Sequence, residues 1–238
     1  MIDECDLTSA IGKVVYSTGK DSGRVIRDCL IRDRKRYGVY DHGQGTIEKC
    51  VISGNAIAGV AISEGGNPDL QDCEILVGKD AGVYDHGQGT MGKCAILGDT
   101  KSGVQMIKGG DPMVRDCVIR VGKEADVIVL EQGLRTIERC VISGTALASV
   151  EIRMGEDTLV RDWVIWDGKQ AGVYVHYQGQ GTIEKCEIHG NAYAGLPIST
   201  AGNPVVREYQ DPRQEGCCRL RPRARTRHDR KVRDPRGT

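Results

Sequence analysis

The 238-residue chain contains no phenylalanine and only two tryptophans, and aromatic residues make up 4% of it. Large aromatics normally fill the centre of a compact core. Without them the interior must be thin and repetitive, filled by Val, Ile, Leu, Cys and Ala. No apolar stretch comes near the roughly 20 residues that a membrane span needs, so no membrane partner is expected. The N-terminal MIDECDLTSA is acidic and lacks the apolar region of a signal peptide, so the chain reads as cytoplasmic. It also opens inside a repeat, as one module of a longer solenoid with neighbouring domains would. Formal net charge is zero, yet residues 211–238 hold ten Lys/Arg against four Asp/Glu (+6), leaving 23 against 29 (−6) in residues 1–210. An acidic body argues against nucleic acid on the repeat surface; only the basic tail offers it a partner.

Cysteine, by contrast, is abundant and regular. Cys5, Cys29, Cys50, Cys73, Cys94, Cys117, Cys140 and Cys186 are separated by 24, 21, 23, 21, 23 and 23 residues and then by 46. The skipped position is Trp163, and one further step of 23 from Cys186 reaches Tyr209. A fixed period in the twenties marks a solenoid whose repeats stack as rungs.

Aligned on this period, two phrases alternate. GVYDHGQGTIEKCVISGNAIA (38–58) returns at 82–102, 126–148 and 172–194. GVAISEGGNPDLQDCEILVGKDA (59–81) returns at 103–125 and 149–171 and begins again at Gly195. Within a rung, Gly-Val-Ala-Ile (59–62) alternates with period two, and Ile47, Cys50 and Ile52 are spaced by three and then two, which predicts a strand, a tight corner and a second strand. Gly-Asn (54–55), Gly-Gly-Asn-Pro (65–68) and Gly-Lys-Asp (78–80) supply turn chemistry. No segment has a helical period. The expected fold is all-β: a single-stranded parallel β-helix of about nine rungs over residues 1–210, followed by a basic tail, 211–238, whose composition predicts disorder. Ile2, Ile26, Ile47, Leu70, Met91, Val114, Ile137, Val160, Ile183 and Val206 should form one internal column, each strand pairing with its equivalent about 4.8 Å away.

Gly-Val-Tyr-Val-His (172–176), Gly-Thr-Ile-Glu-Lys-Cys (181–186), His-Gly-Asn-Ala (189–192) and Gly-Gly-Asn-Pro (65–68) carry a resemblance to the right-handed parallel β-helix repeat family. The resemblance implies a pectin-lyase-like fold. Such repeats also occur in carbohydrate-binding and sugar-hydrolase modules, in substrate-recognition regions of F-box proteins and beside bacterial kinase domains. Right-handedness follows from it and from the general handedness of parallel crossovers.

The cysteines read as packing. Stacked side chains point the same way at the rung spacing, whereas a disulfide needs Cβ atoms about 3.5–4.5 Å apart and zinc needs ligands that converge. A column of reduced thiols behaving as small hydrophobes fits a reducing compartment. No metal or cofactor is expected. Cys217 and Cys218 lie outside the column and are the candidate reactive pair.

Function is sought on an outward strand face. Parity places Tyr40, Ala61, Tyr84, Gln105, Ile128, Glu151, Tyr174 and Pro197 in one outward column, and His42, Ser63, His86, Ile107, Leu130, Arg153, His176 and Ser199 in the next. Tyr and His recur together, with Asp41 and Asp85 beside the first two His and Glu64 nearby. Aromatic and imidazole groups stack on sugar rings, and carboxylates accept sugar hydroxyls. The candidate ligand-binding residues are therefore Tyr40, Asp41, His42, Glu64, Tyr84, Asp85, His86, Tyr174 and His176. Cross-strand ladders of Tyr and His also stabilise sheets without any ligand. Catalysis is disfavoured: the Asn-Thr-Asp, Asp-Asp, Gly-His-Gly and Arg-Ile-Lys motifs of pectin hydrolases are missing, and no long loop walls a cleft. No catalytic residue is assigned. The expected function is a non-enzymatic recognition or scaffold module for a polysaccharide or protein partner; the alternative is a polysaccharide lyase or glycoside hydrolase acting on a pectin-like polymer.

Overall fold

The computed structural model describes residues 1–8, 15–19 (backbone alone), 23–32, 35–76, 79–98, 101–107, 111–121, 123–130, 135–144, 147–154, 158–199 and 201–211. The tail expected from 211 onward, with Cys217 and Cys218, therefore lies outside the described residues beyond Asp211.

The described residues form a right-handed parallel β-solenoid with three sheets of ten, nine and eight strands. The first sheet runs from Ile2–Asp3 to Val205–Arg207, the second from Asp6–Thr8 to Glu187–His189, and the third from Val15–Gly19 to Ala171–His176. Every strand pairs in parallel with its equivalent one rung away, and isolated bridges at Val175–Ile198 and Glu187–Gln210 carry the second and third sheets one step further.

The rung length follows from its corner. In each rung the first strand ends one residue before a position with φ near +50°, as at Asp28 (52°), Lys49 (51°), Asp72 (52°), Lys93 (52°), Asp116 (56°) and Arg139 (50°). A single left-handed residue turns the chain sharply, and its N–H still bonds to the next rung, as from Lys49 to the carbonyl of Gln71 at 2.9 Å. This is the corner implied by the three-then-two spacing of Ile47, Cys50 and Ile52.

The interior is a set of columns. Ile2, Ile26, Ile47, Leu70, Met91, Val114, Ile137, Val160, Ile183 and Val206 stand in register in the order expected. Beside them Cys29, Cys50, Cys73, Cys94, Cys117, Cys140 and Cys186 are buried free thiols. Each thiol donates to the carbonyl two residues before it, as from Cys50 to Glu48 at 3.2 Å, and all but Cys29 also reach a carbonyl of the preceding rung, as from Cys73 to Ile47 at 3.3 Å. Burial pushes the Cys186 thiol up to about 11. These are hydrogen-bonded packing groups. Trp163 fills the skipped slot, fully buried, and its indole N–H donates to the Ile137 carbonyl at 2.9 Å. At the entry to the third sheet space is so tight that a Cβ at Gly59 would lie 2.6 Å from Ile75 Cγ2, which requires glycine there.

Two columns of charge run along the outside of the first corner. One stacks Asp3, Arg27, Glu48, Gln71, Gly92, Arg115, Glu138, Arg161, Glu184 and Arg207. The other holds the left-handed residues Glu4, Asp28, Lys49, Asp72, Lys93, Asp116, Arg139, Asp162, Lys185 and Glu208. From Arg115 onward the first column alternates in sign at every rung, and from Asp28 onward so does the second. Alternation of this kind explains why the visible repeat is a pair of rungs. Opposite charges in register attract, whereas identical rungs would set like charges against each other.

Candidate functional site

The outer face of the third sheet carries the residues expected by parity. Tyr40, Tyr84 and Tyr174 are half-buried and point outward, His42 is exposed and His86 half-buried. They do not form one constellation. Tyr84 stands about 10 Å from the Tyr40 rung and about 19 Å from the Tyr174 rung at the strand spacing of a sheet. Each has its own partners. His42 Nδ1 lies 2.7 Å from Ser63 Oγ. The Tyr84 hydroxyl donates to Asp80 Oδ2 at 2.7 Å, and burial followed by that carboxylate raises its pKa. Tyr37 and Tyr40 have ring centroids 5.7 Å apart. Glu64 is exposed on a turn beside this cluster.

Asp41 and Asp85 are placed differently from expectation. Both are 2% exposed and face the interior, in register with Ile62. The reason is strand alternation: if Tyr40 and His42 point out, Asp41 between them points in. Each carboxylate caps its own turn, accepting from Gly43 N at 2.6 Å and from Gly87 N at 2.8 Å. Neither is presented to a ligand on the outer face. Burial pushes Asp85 up to about 6, against the opposing effects of the Gly87 N–H and of Arg135. Arg135 is itself buried, donating from Nη2 to the carbonyls of Ile107 and Leu130, both at 3.0 Å. Asp126, opposite Gly103 in the tight column, is fully buried; burial raises it to about 8 although it accepts from Val121 N at 2.8 Å.

The concave part of the outer face lies toward its C-terminal end. A groove of about 500 Å³ has a floor of Ala125, Ala148 and Ala171 and is flanked by Glu124, Glu151, Arg153, Tyr174, Tyr193 and Ser199. One wall is the segment after Asn191. Asn191 is buried and its Oδ1 accepts from Gly168 N at 3.1 Å; Tyr193 N donates to Gln170 O at 2.9 Å. This anchoring leaves the Tyr193 side chain 77% exposed at the rim.

At the edge of the groove the repeat is broken by a polar cluster. Tyr174 and His176 stack with ring centroids 4.2 Å apart and planes 6° from parallel. His176 is buried, with the tilted Tyr177 ring 4.6 Å away, and its Nε2 lies 2.6 Å from Glu151 Oε1. Arg153 Nε donates to the same oxygen at 2.8 Å. Tyr174 and Ser199 share a hydroxyl–hydroxyl hydrogen bond at 2.9 Å. The arrangement offers a flat aromatic surface, hydroxyls and carboxylate acceptors in one concavity, suited to a polyhydroxylated ligand. Among the described residues no three His, Cys, Asp or Glu side chains converge as a metal site requires.

Of the expected site residues, only Tyr174 lines the groove; His176, buried, stacks on it and meets Glu151. Sequence reasoning placed Glu151 and Arg153 in the outward columns but did not single them out, and it passed over Glu124 and Tyr193. Their signal is that they depart from the Tyr/His pattern: a site needs unlike groups, and unlike groups interrupt a repeat.

Among solved structures, the chain is similar to one described as the crystal structure of Agl-KA catalytic domain, with 13% identity, a TM-score of 0.51, and alignment over 86% of this chain and 45% of that one. The chain thus spans less than half of that neighbour, and the likeness is one of fold. The model for the right handed beta helix region matches residues 1–134 and 102–210. With the register of three parallel sheets behind that match, the chain belongs to the right-handed β-helix family.

Proposed function

We propose that this chain is a recognition module that holds a glycan in the groove of the third sheet, without cleaving it. The observation that carries the reading is half-buried Tyr174, backed by the stacked His176 ring, lining a groove with exposed Tyr193 at its rim. Aromatic faces stack on the apolar faces of sugar rings, and the surrounding acceptors bind hydroxyls. Glu151 is engaged by Arg153 and His176, which favours a positioning role over proton transfer. The test is affinity electrophoresis of the full chain through gels containing soluble polysaccharides, paired with a reducing-end assay on the same polymers. Retardation without reducing-end release supports the proposal. Migration unaffected by any polymer sinks it.

A second reading is a polysaccharide lyase or glycoside hydrolase. Its support is that Glu124 and Glu151 share the groove, as the paired carboxylates of glycosidases do, and that the structural neighbour is described as a catalytic domain. Reducing-end release by the native chain and its loss in Glu124→Gln or Glu151→Gln would establish it.

A further inference from the structure

We infer that the groove selects uncharged glycans and rejects polyuronides, and that Glu151 sets this selectivity by holding Arg153. The inference rests on reading the groove as a glycan site and names the ligand class.

Among the described residues, the charged side chains that line the groove are Glu124, Glu151 and Arg153. Lys123 and Lys169 precede the lining residues Glu124 and Gln170 but are not themselves among the lining residues. A polyuronide carries a carboxylate on every sugar, so a site for it needs cations with donors to spare, above all Arg in its two-pronged geometry. Among the described residues, the one lining cation is already committed. Arg153 Nη2 lies 2.6 Å and Nε 2.8 Å from Glu151 Oε1, and the ion pair is half sheltered, with side-chain exposures of 39% and 13%. His176 Nε2 points at the same oxygen.

What remains facing a ligand is acceptor-rich. Glu151 Oε2 and the Glu124 carboxylate make no hydrogen bond or ion pair among the described residues, and Ser199 and Gln170 add amide and hydroxyl groups. Carboxylates accept from hydroxyls and repel other carboxylates. The described lining residues sum to one negative charge, within a body of −6 over residues 1–210. A chain of neutral sugars satisfies these acceptors; a chain of uronates would bring anions against them.

The experiment measures binding of the full chain, at neutral pH and low salt, to galactomannan, xyloglucan, mixed-linkage glucan and polygalacturonate. At least one uncharged polymer is expected to bind, with polygalacturonate at least tenfold weaker. Glu151→Gln releases the Arg153 charge, and Glu124→Lys, at an exposed position, adds one without touching the ion pair; each is expected to raise polygalacturonate affinity at least fivefold. Unchanged thermal unfolding identifies the variants that report on selectivity, and Glu124→Lys serves if Glu151→Gln does not fold. Polygalacturonate binding as tightly as the neutral polymers overturns the selectivity while leaving the glycan reading intact. Failure of all four polymers to bind either the native chain or the variants overturns both.

Discussion

Arg161 stands directly over Glu138 in the first sheet, and its Nε donates to Glu138 Oε2 at 2.8 Å. Arg139 Nη1 reaches the other carboxylate oxygen at 2.8 Å, and both guanidinium neighbours hold the Glu138 carboxyl below its usual range. This carboxylate is the hinge of both charge columns. Glu138→Lys would set a cation among Arg115, Arg139 and Arg161. The expected loss is about 1–3 kcal/mol, read as a lower urea midpoint than in Glu138→Gln.

Alternation also makes a prediction about rungs. Deleting residues 138–160 removes one rung and brings Arg115 against Arg161 and Asp116 against Asp162. Reversing every later charge in both columns (Arg161→Glu, Glu184→Arg and Arg207→Glu with Asp162→Lys, Lys185→Asp and Glu208→Lys) restores alternation. The reversed-charge version of the shortened chain is expected to unfold at a higher temperature than the simple deletion, by several degrees. Equal melting temperatures would show that the columns contribute nothing to register.

Trp163 occupies a cysteine slot, yet Trp163→Cys should not behave as a harmless return to the repeat. The indole is fully buried and bonds to the Ile137 carbonyl. A cysteine there leaves a large cavity, and the expected cost is about 3–5 kcal/mol, measurable by urea denaturation.

The buried acids give a pH dependence. Asp85 at about 6 and Asp126 at about 8 both lie above the ordinary 3.8. The folded state therefore binds these protons more tightly than the unfolded chain. Their stabilising effect is complete below the unfolded value and is lost as pH rises, through about 6 for Asp85 and about 8 for Asp126. Stability should fall by up to about 1.4 kcal/mol per pH unit for each group within its window. Asp126→Asn keeps an oxygen for Val121 N and should flatten the profile between pH 6 and 8, raising stability at pH 8. A wild-type profile that rises between pH 6 and 8 would contradict the raised pKa of Asp126.

Binding should separate from stability at the groove. Tyr193→Ala is expected to weaken glycan binding about fivefold, roughly 1 kcal/mol, with no change in melting temperature, because the side chain is exposed. Tyr174→Ala should lower both. Tyr40→Ala and His42→Ala, outside the groove, should leave binding to short oligosaccharides unchanged. Affinity measured by isothermal titration with the tightest-binding polymer's oligosaccharides checks all four.

Much of this molecule was legible from spacing alone. The column from Ile2 to Val206 and the thiol ladder follow directly from the period, because a parallel stack puts equivalent residues on each other. The corner at Lys49 was implied by the spacing around it. The charge alternation is equally present in the sequence, but its meaning depends on register: Glu138 and Arg161 are a rung apart, and only pairing makes them neighbours. Asp41 and Asp85 were drawn toward the ligand face by their adjacency to His, although the parity that exposes the His buries them.

The sequence by itself determined the periodic part: which residues face the core, how long a rung is, and where the column gives way to Trp163. Those properties are local and repeated, so they survive in a one-dimensional reading. Only the tertiary structure creates the groove. Tyr40, Tyr84 and Tyr174 look equivalent in the repeat, yet only Tyr174 meets an anchored wall at Tyr193 and a Glu151–Arg153 pair one rung away. A concavity arises where the repeat is interrupted on several rungs at once, and that coincidence exists only when the rungs are stacked.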